Sequence, residues 1–346
     1  MHSAHLLDLD FDALTDILKE RGLAAYRAQQ IWKAVLGELV STYGDITTLP
    51  KSLRDFLALD LPLDTPEIVS TQRSTDQRTQ KMLLRLDDGE TVETVAMIYD
   101  DRATVCISTQ VGCSVGCALC ATGAGGFRRD LYAGEIIAQV LAAARAFRAD
   151  GRTLTNVVYM GMGEPLLNPE ASIQSLRVLN DPRGLGLGAR SFTVSTVGIV
   201  PGIDRLSEVG IQFNLAVSLH AADDELRSRL VPINRTYPID ALLAACRRYI
   251  ARTHRRITFE ITLIDGVNDR PGDAKAVSRR LSGMLCHVNL IPFNPFPGCP
   301  WTASPRERVE QYESIIAQSG LPVSIRYSRG VEIQAGCGQL HRRSSP

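Results

Sequence analysis

The chain of 346 residues exceeds what one hydrophobic core normally organises, so a large domain with a small appendage is expected. Apolar residues make up 45% and charged residues 22%, which excludes extensive disorder, and Lys plus Arg balance Asp plus Glu at 38 each, so any polyanion must be held by local patches. No run approaches the roughly 20 apolar residues of a membrane span, and residues 1–10 carry acids where a leader would be basic then apolar; a cytoplasmic chain with no membrane partner is expected.

In chain order, Phe11, Leu14, Ile17 and Leu18, then Ile31, Trp32, Val35, Leu36 and Leu39, recur at helical spacing, with Gly22 as a stop between them. Residues 1–60 therefore read as a small helical domain. Residues 61–98 read as a linker and a β-hairpin, with strands at 82–86 and 91–98 around the turn signal Asp87-Asp88-Gly89. From 99 to 346, β-branched runs at 104–108, 156–160, 191–195, 212–218, 257–263 and 287–291 alternate with helical patterns. That alternation predicts an α/β fold of six parallel βα units, as an open sheet or a partial barrel. The chemically suggestive tracts, from the Cys113 loop through Gly163-Glu164-Pro165 to Asn294-Pro295, fall at or just after strand ends. Loops at strand C-terminal ends converge at a barrel mouth, which favours a partial (β/α)6 barrel.

Three of the eight cysteines crowd together as Cys113, Cys117 and Cys120. Thiolates at Cx3Cx2C spacing reach three corners of an iron–sulfur cubane from one loop and leave the fourth iron open to chelate a substrate. Gly112 and Gly116 would let the backbone approach the sulfides. The competing reading is structural zinc, which needs a fourth ligand such as Cys106 and more often uses two separated knuckles. Taken alone, Cys106 and Cys337 read as small buried hydrophobes, although Gly336 and Gly338 beside Cys337 suit a flexible or tightly approached backbone and make it the better functional candidate. Glu93 alone reads as an outward-facing strand residue, His220 as a structural histidine, and Cys246, Cys286 and Cys299 as structural cysteines.

The cysteine loop resembles the signature of the radical S-adenosylmethionine (SAM) superfamily. Together with Gln110-Val111-Gly112-Cys113, Gly161-Met162-Gly163-Glu164-Pro165-Leu166, Ser218-Leu219-His220, the Pro292–Gly298 tract and Ala335-Gly336-Cys337-Gly338-Gln339-Leu340, it is similar to the RlmN family of dual-specificity RNA adenine-C2 methyltransferases. The match runs from about residue 93 to 340. Leu119 departs from it, standing where the superfamily often has an aromatic residue.

The resemblance implies a radical-SAM barrel, a [4Fe–4S] cluster on Cys113, Cys117 and Cys120, and S-adenosyl-L-methionine contacted by Gly163, Glu164, Ser195, Ser218, Leu219, His220 and Asn294. It further implies that Cys337 carries a methyl group, that Glu93 accepts the C2 proton, and that Cys106 resolves the product through a transient disulfide with Cys337. An aromatic C2 is not nucleophilic, so direct attack on a sulfonium methyl is poor and such a relay is needed. Substrates implied are 23S rRNA and the tRNA adenine beside the anticodon, with a flavodoxin or ferredoxin as electron donor and a monomeric enzyme. The related Cfr type methylates C8 by the same relay. Arg128-Arg129, Arg247-Arg248, Arg252, Arg255-Arg256 and Arg342-Arg343 are candidate phosphate contacts, each competing with a solvated helix face. The N-terminal helices are a candidate accessory for holding RNA.

Overall fold

The computed structural model describes residues 5–63 and 65–341. Three helices open the chain: α1 (Phe11–Glu20), α2 (Tyr26–Trp32) and α3 (Lys51–Asp60). Asp10 caps α1 by accepting the Ala13 N–H at 2.8 Å, and the chain leaves that helix through Gly22 at φ +73°. A π-turn at 33–37 extends α2, keeping Val35 and Leu36 on the buried side.

The antiparallel strands β1 (Glu67–Arg73), β2 (Thr79–Arg85) and β3 (Thr91–Ile98) follow. Next come β4 (Ala103–Cys106), a small ribbon of β5 (Gln110–Gly112) with β6 (Phe127–Asp130) around the short helix α4 (Ala121–Ala124), and α5 (Ala133–Ala149). The chain then alternates: β7 (Asn156–Tyr159), α6 (Pro169–Asn180), β8 (Phe192–Thr196), α7 (Val200–Leu206), β9 (Asn214–Ser218), α8 (Asp224–Leu230), α9 (Ile239–Thr253), β10 (Ile257–Leu263), α10 (Pro271–Leu281), β11 (Cys286–Pro292), α11 (Arg306–Gln318) and β12 (Val323–Ile325).

One ten-stranded sheet runs β1-β2-β3-β4-β7-β8-β9-β10-β11-β12, antiparallel as far as β4 and parallel from β4 onward. The six expected parallel strands are all present, and β12 adds a seventh. Three residues give β12 no readable period, and β1 is a mostly exposed edge strand without an apolar face, so neither was foreseen. The ribbon within the cysteine loop was likewise unseen. No helix is long and apolar enough to cross a membrane among the described residues.

The apolar core is continuous from the N-terminal helices into the barrel. The joint is α5, where Arg145 donates to the carbonyls of Leu39 and Val40, and Arg148 to those of Gly37 and Glu38. These bonds satisfy backbone acceptors where the second helical segment ends. At the other end, residues 330–341 form a strap. Lys81 Nζ donates to the Gln334 carbonyl at 3.1 Å, the Ala121 N–H to that of Gly338 at 2.7 Å, and Gln339 Nε2 to that of Pro295 at 2.8 Å. The strap thus ties the antiparallel strands, the cysteine loop and the end of β11 together.

Candidate active site

The cysteine loop is shaped by tight backbone contacts. Gly112 adopts φ +80°, and a Cβ there would lie 1.9 Å from the Gly126 carbonyl oxygen. Its freedom therefore serves the β5–β6 ribbon, where Cys113 N–H also donates to the Gly126 carbonyl. Ala118 N–H bonds the Leu230 carbonyl, and Val115, Leu230, Val231, Ile264 and Phe293 pack a satellite core around Cys117. The loop is consequently held from both sides.

Cys113, Cys117 and Cys120 line one cavity of about 150 Å³, together with Glu164, Ser195, Ser218, His220 and Cys337. Burial, then the neighbouring thiols, push Cys113 up to about 12 and Cys117 well above the usual thiol range, while Arg227 opposes the rise at Cys117. Thiols so placed ionise when a metal replaces the proton. Among the described residues no three His, Cys, Asp or Glu side chains converge on a point as single-ion ligands. Cys106, the fourth ligand zinc would require, is not on this cavity; it lies with Cys337 and Arg326 on a narrower cleft. Three thiols around a shared space, each free to meet a separate iron, fit a cubane and not a zinc site.

Opposite polar groups are precisely fixed by hydrogen bonds. Gly163 turns at φ +100° where a Cβ would be 2.6 Å from Gln110 Cβ. The next residue, Glu164, accepts from Val197 N–H at 2.8 Å and Leu166 N–H at 3.0 Å. Burial raises its carboxyl to about 7 against those bonds and one from Thr196. A carboxylate kept from water in this way gains most from an organic cation arriving in the cavity. His220 sits at φ +60°; its Nδ1 accepts the Thr262 N–H at 3.1 Å, which leaves the ring proton on Nε2, and burial holds it neutral with its pKa lowered to about 3. Asn268 clamps it by donating to the carbonyls of His220 and Thr262.

Not every nominated contact faces the cavity. Leu219 has its side chain in the main core and gives its carbonyl to Arg227. Asn294 Nδ2 donates to Ser328 Oγ at 2.7 Å and to the Cys337 carbonyl at 3.0 Å, holding the strap. Leu119 does line the cavity, as an apolar wall.

Glu93 is 1% exposed, which overturns the outward-facing reading of that position. It pairs with Lys81 across β2–β3 at 3.1 Å and accepts the His341 N–H at 3.0 Å. Breaking such a buried pair by removing one partner costs about 3–5 kcal/mol, because a charge is stranded. Glu93 lines neither of the two cavities that Cys337 lines.

Cys106, on β4, meets Cys337 from the strap. All eight cysteines are free thiols. Burial first, and Cys337 second, raise Cys106 to about 12, with Arg326 pulling the other way. Arg326, in turn, is raised foremost by Cys337 and also by Glu260, Tyr99 and Cys106. Sequence reasoning missed this guanidinium because it follows the unreadable strand β12. Glu260 was legible: a lone acid within the buried run Ile257–Leu263, it accepts from Asn289 at 2.7 Å. Arg227, fully buried, left no signal on its short helix, yet it donates to the carbonyls of Leu219, Val197 and Ser218 and to Asn234 Oδ1, fastening the loops after β8 and β9.

A triple-thiol loop above the strand ends of a parallel barrel, facing a buried carboxylate, defines a radical SAM enzyme, and the profile of the radical SAM superfamily matches residues 107–274. A radical SAM methyltransferase crystal structure from Sphaerobacter thermophilus superposes with a TM-score of 0.96 at 52% identity, covering 97% of this chain and 99% of that one. The probable dual-specificity RNA methyltransferase RlmN of Chloroflexus aurantiacus is 46% identical, spanning 100% of this chain and 94% of the relative. The dual-specificity RNA methyltransferase RlmN 1 of Myxococcus xanthus is 45% identical over 98% of this chain and 94% of that protein. The chain belongs to the RlmN family of radical SAM methyltransferases, whose cofactors are a [4Fe–4S] cluster and S-adenosylmethionine.

Proposed function

We propose that this chain methylates C2 of adenine in 23S rRNA and in tRNA, next to the anticodon, through a methyl group carried on Cys337. The observation that carries this reading is the place of Cys337: it lines the cofactor cavity with Cys113, Cys117 and Cys120, and also a second cleft that it shares with Cys106 and Arg326. A cluster alone does not call for a second thiol pair.

Cys113, Cys117 and Cys120 would hold the cluster, and Glu164, Gly163, Ser195, Ser218 and His220 the sulfonium donor, with Leu219 and Asn294 acting through the backbone and the strap. When bound, these cofactors supply a 5′-deoxyadenosyl radical. Cys337 Sγ takes a methyl group from one donor molecule, loses a hydrogen atom from it during a second cycle, and joins that carbon to adenine C2. The Arg326 guanidinium lies on the same cleft as the two sulfurs. Glu93 takes the C2 proton once the strap carrying His341 shifts. With the adduct's unpaired electron passed to the redox group that Cys113, Cys117 and Cys120 would hold, the Cys106 thiolate attacks Cys337 sulfur, the S–C bond breaks, the released carbon takes up a proton to become methyl, and a transient disulfide closes. A flavodoxin or ferredoxin system supplies electrons to a monomer in the cytoplasm. Residues 1–60 serve as an RNA-holding accessory, 61–98 as a linker whose antiparallel strands extend the barrel sheet, and 99–346 as the catalytic barrel.

Mass spectrometry of nucleosides from reacted RNA tests the proposal: 2-methyladenosine is expected, and 8-methyladenosine or no methylated adenosine refutes it. A pH dependence also follows. Burial, the larger cause of the upward push on the Cys106 thiol, persists in the adduct, so its reactive thiolate is a small fraction near neutrality and grows about tenfold per pH unit while the thiol form predominates. Single-turnover decay of the protein–RNA adduct will therefore accelerate about tenfold per unit from pH 7 to 9.

A further inference from the structure

The barrel is hollow below its reaction cavity as well as within it. Bulky side chains normally fill the lower half of a β/α barrel. Here a second cavity of about 690 Å³ remains, walled by the small side chains of Thr193, Ala216 and Thr258 and rimmed by Arg255 and Arg256. Its volume is that of a built ligand pocket, roughly 300–1,000 Å³. Met160, Glu260 and Arg326 line both this lumen and the upper cavity where Cys337 stands. They form a partition with the reactive sulfur on its far side.

Steric economy selects this lumen as a route. The upper cavity, of about 150 Å³, is committed to the cofactors, and the side cleft between Cys106 and Cys337 measures only about 20 Å³. Among the cavities that the described residues form around this partition, the lower lumen is the roomiest approach for a base that must meet Cys337.

Charge identifies the occupant. Several of the arginines evident in the sequence are neutralised: Arg129 by Asp88 and Glu135, Arg248 by Asp204 at 2.6 Å, and Arg252 by Glu208 at 2.7 Å, while Arg247 forms no salt bridge with any described residue but does not line this lumen. Arg128 reaches Glu90 at 3.9 Å, and Arg342-Arg343 lies outside the described residues. Arg255 and Arg256 form no salt bridge with any described residue; Arg255 gives one bond to Asn214 Oδ1 at 3.0 Å and its buried Nε has no partner. Two uncompensated guanidinium groups on a shaft whose other charged side chains, Glu260 and Arg326, stand at its inner partition suit phosphates flanking an inserted base.

We infer that the lower lumen admits one extruded nucleotide of the RNA, its base rising to the Met160–Glu260–Arg326 partition and its flanking phosphates held by Arg255 and Arg256. This rests on the RNA-methylation reading and adds to it the face of the barrel that RNA uses. Extrusion has an energetic cost that the phosphate contacts offset.

Two variants of the reconstituted holoenzyme test the assignment: the double variant R255Q/R256Q, which leaves the shaft open, and Thr258→Phe, which narrows it without changing charge. Affinity for a labelled adenine-bearing RNA stem-loop is measured by fluorescence anisotropy across a salt series, alongside RNA methylation and, without RNA, methyl transfer to Cys337. R255Q/R256Q should weaken binding about tenfold and flatten the plot of log Kd against log salt by about 1–2. Thr258→Phe should slow RNA methylation with an unchanged salt slope. Both should methylate Cys337 at the wild-type rate. Wild-type affinity, slope and RNA turnover in both variants overturn the inference. A wild-type protein that binds the RNA yet never methylates it defeats the methylation reading, while the salt slopes still decide the route.

Discussion

Replacing Cys106 by alanine will leave RNA covalently joined to the protein. Cys106 and Cys337 share a cleft, and the methylene bridge from Cys337 to the base contains no bond that water or an external thiol readily breaks. Without the neighbouring thiol, the first catalytic event should run and the second should not. Steady-state methylation is expected to fall at least about 10³-fold, while a stoichiometric species of retarded mobility accumulates on a denaturing gel and survives reductant. Free RNA under conditions where the wild-type enzyme turns over would remove the relay from the mechanism. Alanine removes only one heavy atom from this buried position, so folding is expected to be preserved, and Cys337 methylation by the donor serves as the internal control.

Replacing Cys117 by alanine attacks the other thiol group. Its side chain sits in the satellite core with Val115, Leu230 and Phe293, and its backbone is pressed against Gly123, so the loop should keep its course without the sulfur. With two thiols left, the cubane loses a corner and binds weakly. Anaerobically reconstituted protein should contain little iron, lack the broad visible absorption of a cluster and show donor cleavage and RNA methylation reduced at least about 10³-fold. Full iron content in this variant would mean that the ligands had been assigned wrongly.

Much of the barrel was legible because its strands are buried on both faces and read as apolar, β-branched runs between helices. What escaped notice lacked such a period. The edge strand β1 buries little, β12 is three residues long, and the β5–β6 ribbon exists only because Gly112 and Gly126 meet backbone to backbone. The candidate site divides similarly. The cysteine loop announced itself through spacing, and the Gly163–Glu164 turn through its place after a strand. Glu93 misled: alternation assigned it to solvent, whereas Lys81, two strand positions from facing it, makes the buried site tolerable. Arg326 and Arg227 could not be found, since each acts on groups far away in sequence and a lone arginine has no pattern. The joint between the N-terminal helices and α5 was equally hidden, because it uses carbonyls that any sequence possesses.

The strap has a consequence for how the enzyme is made. During synthesis the cysteine loop emerges roughly two hundred residues before Gly338, whose carbonyl receives the Ala121 N–H, and before Leu340, which receives Thr122 Oγ1. The nascent loop is thus open until the strap is made, and the strap's docking shuts it. Delivery of iron and sulfide is easiest in that interval, so cluster insertion and strap closure become successive stages of a single assembly.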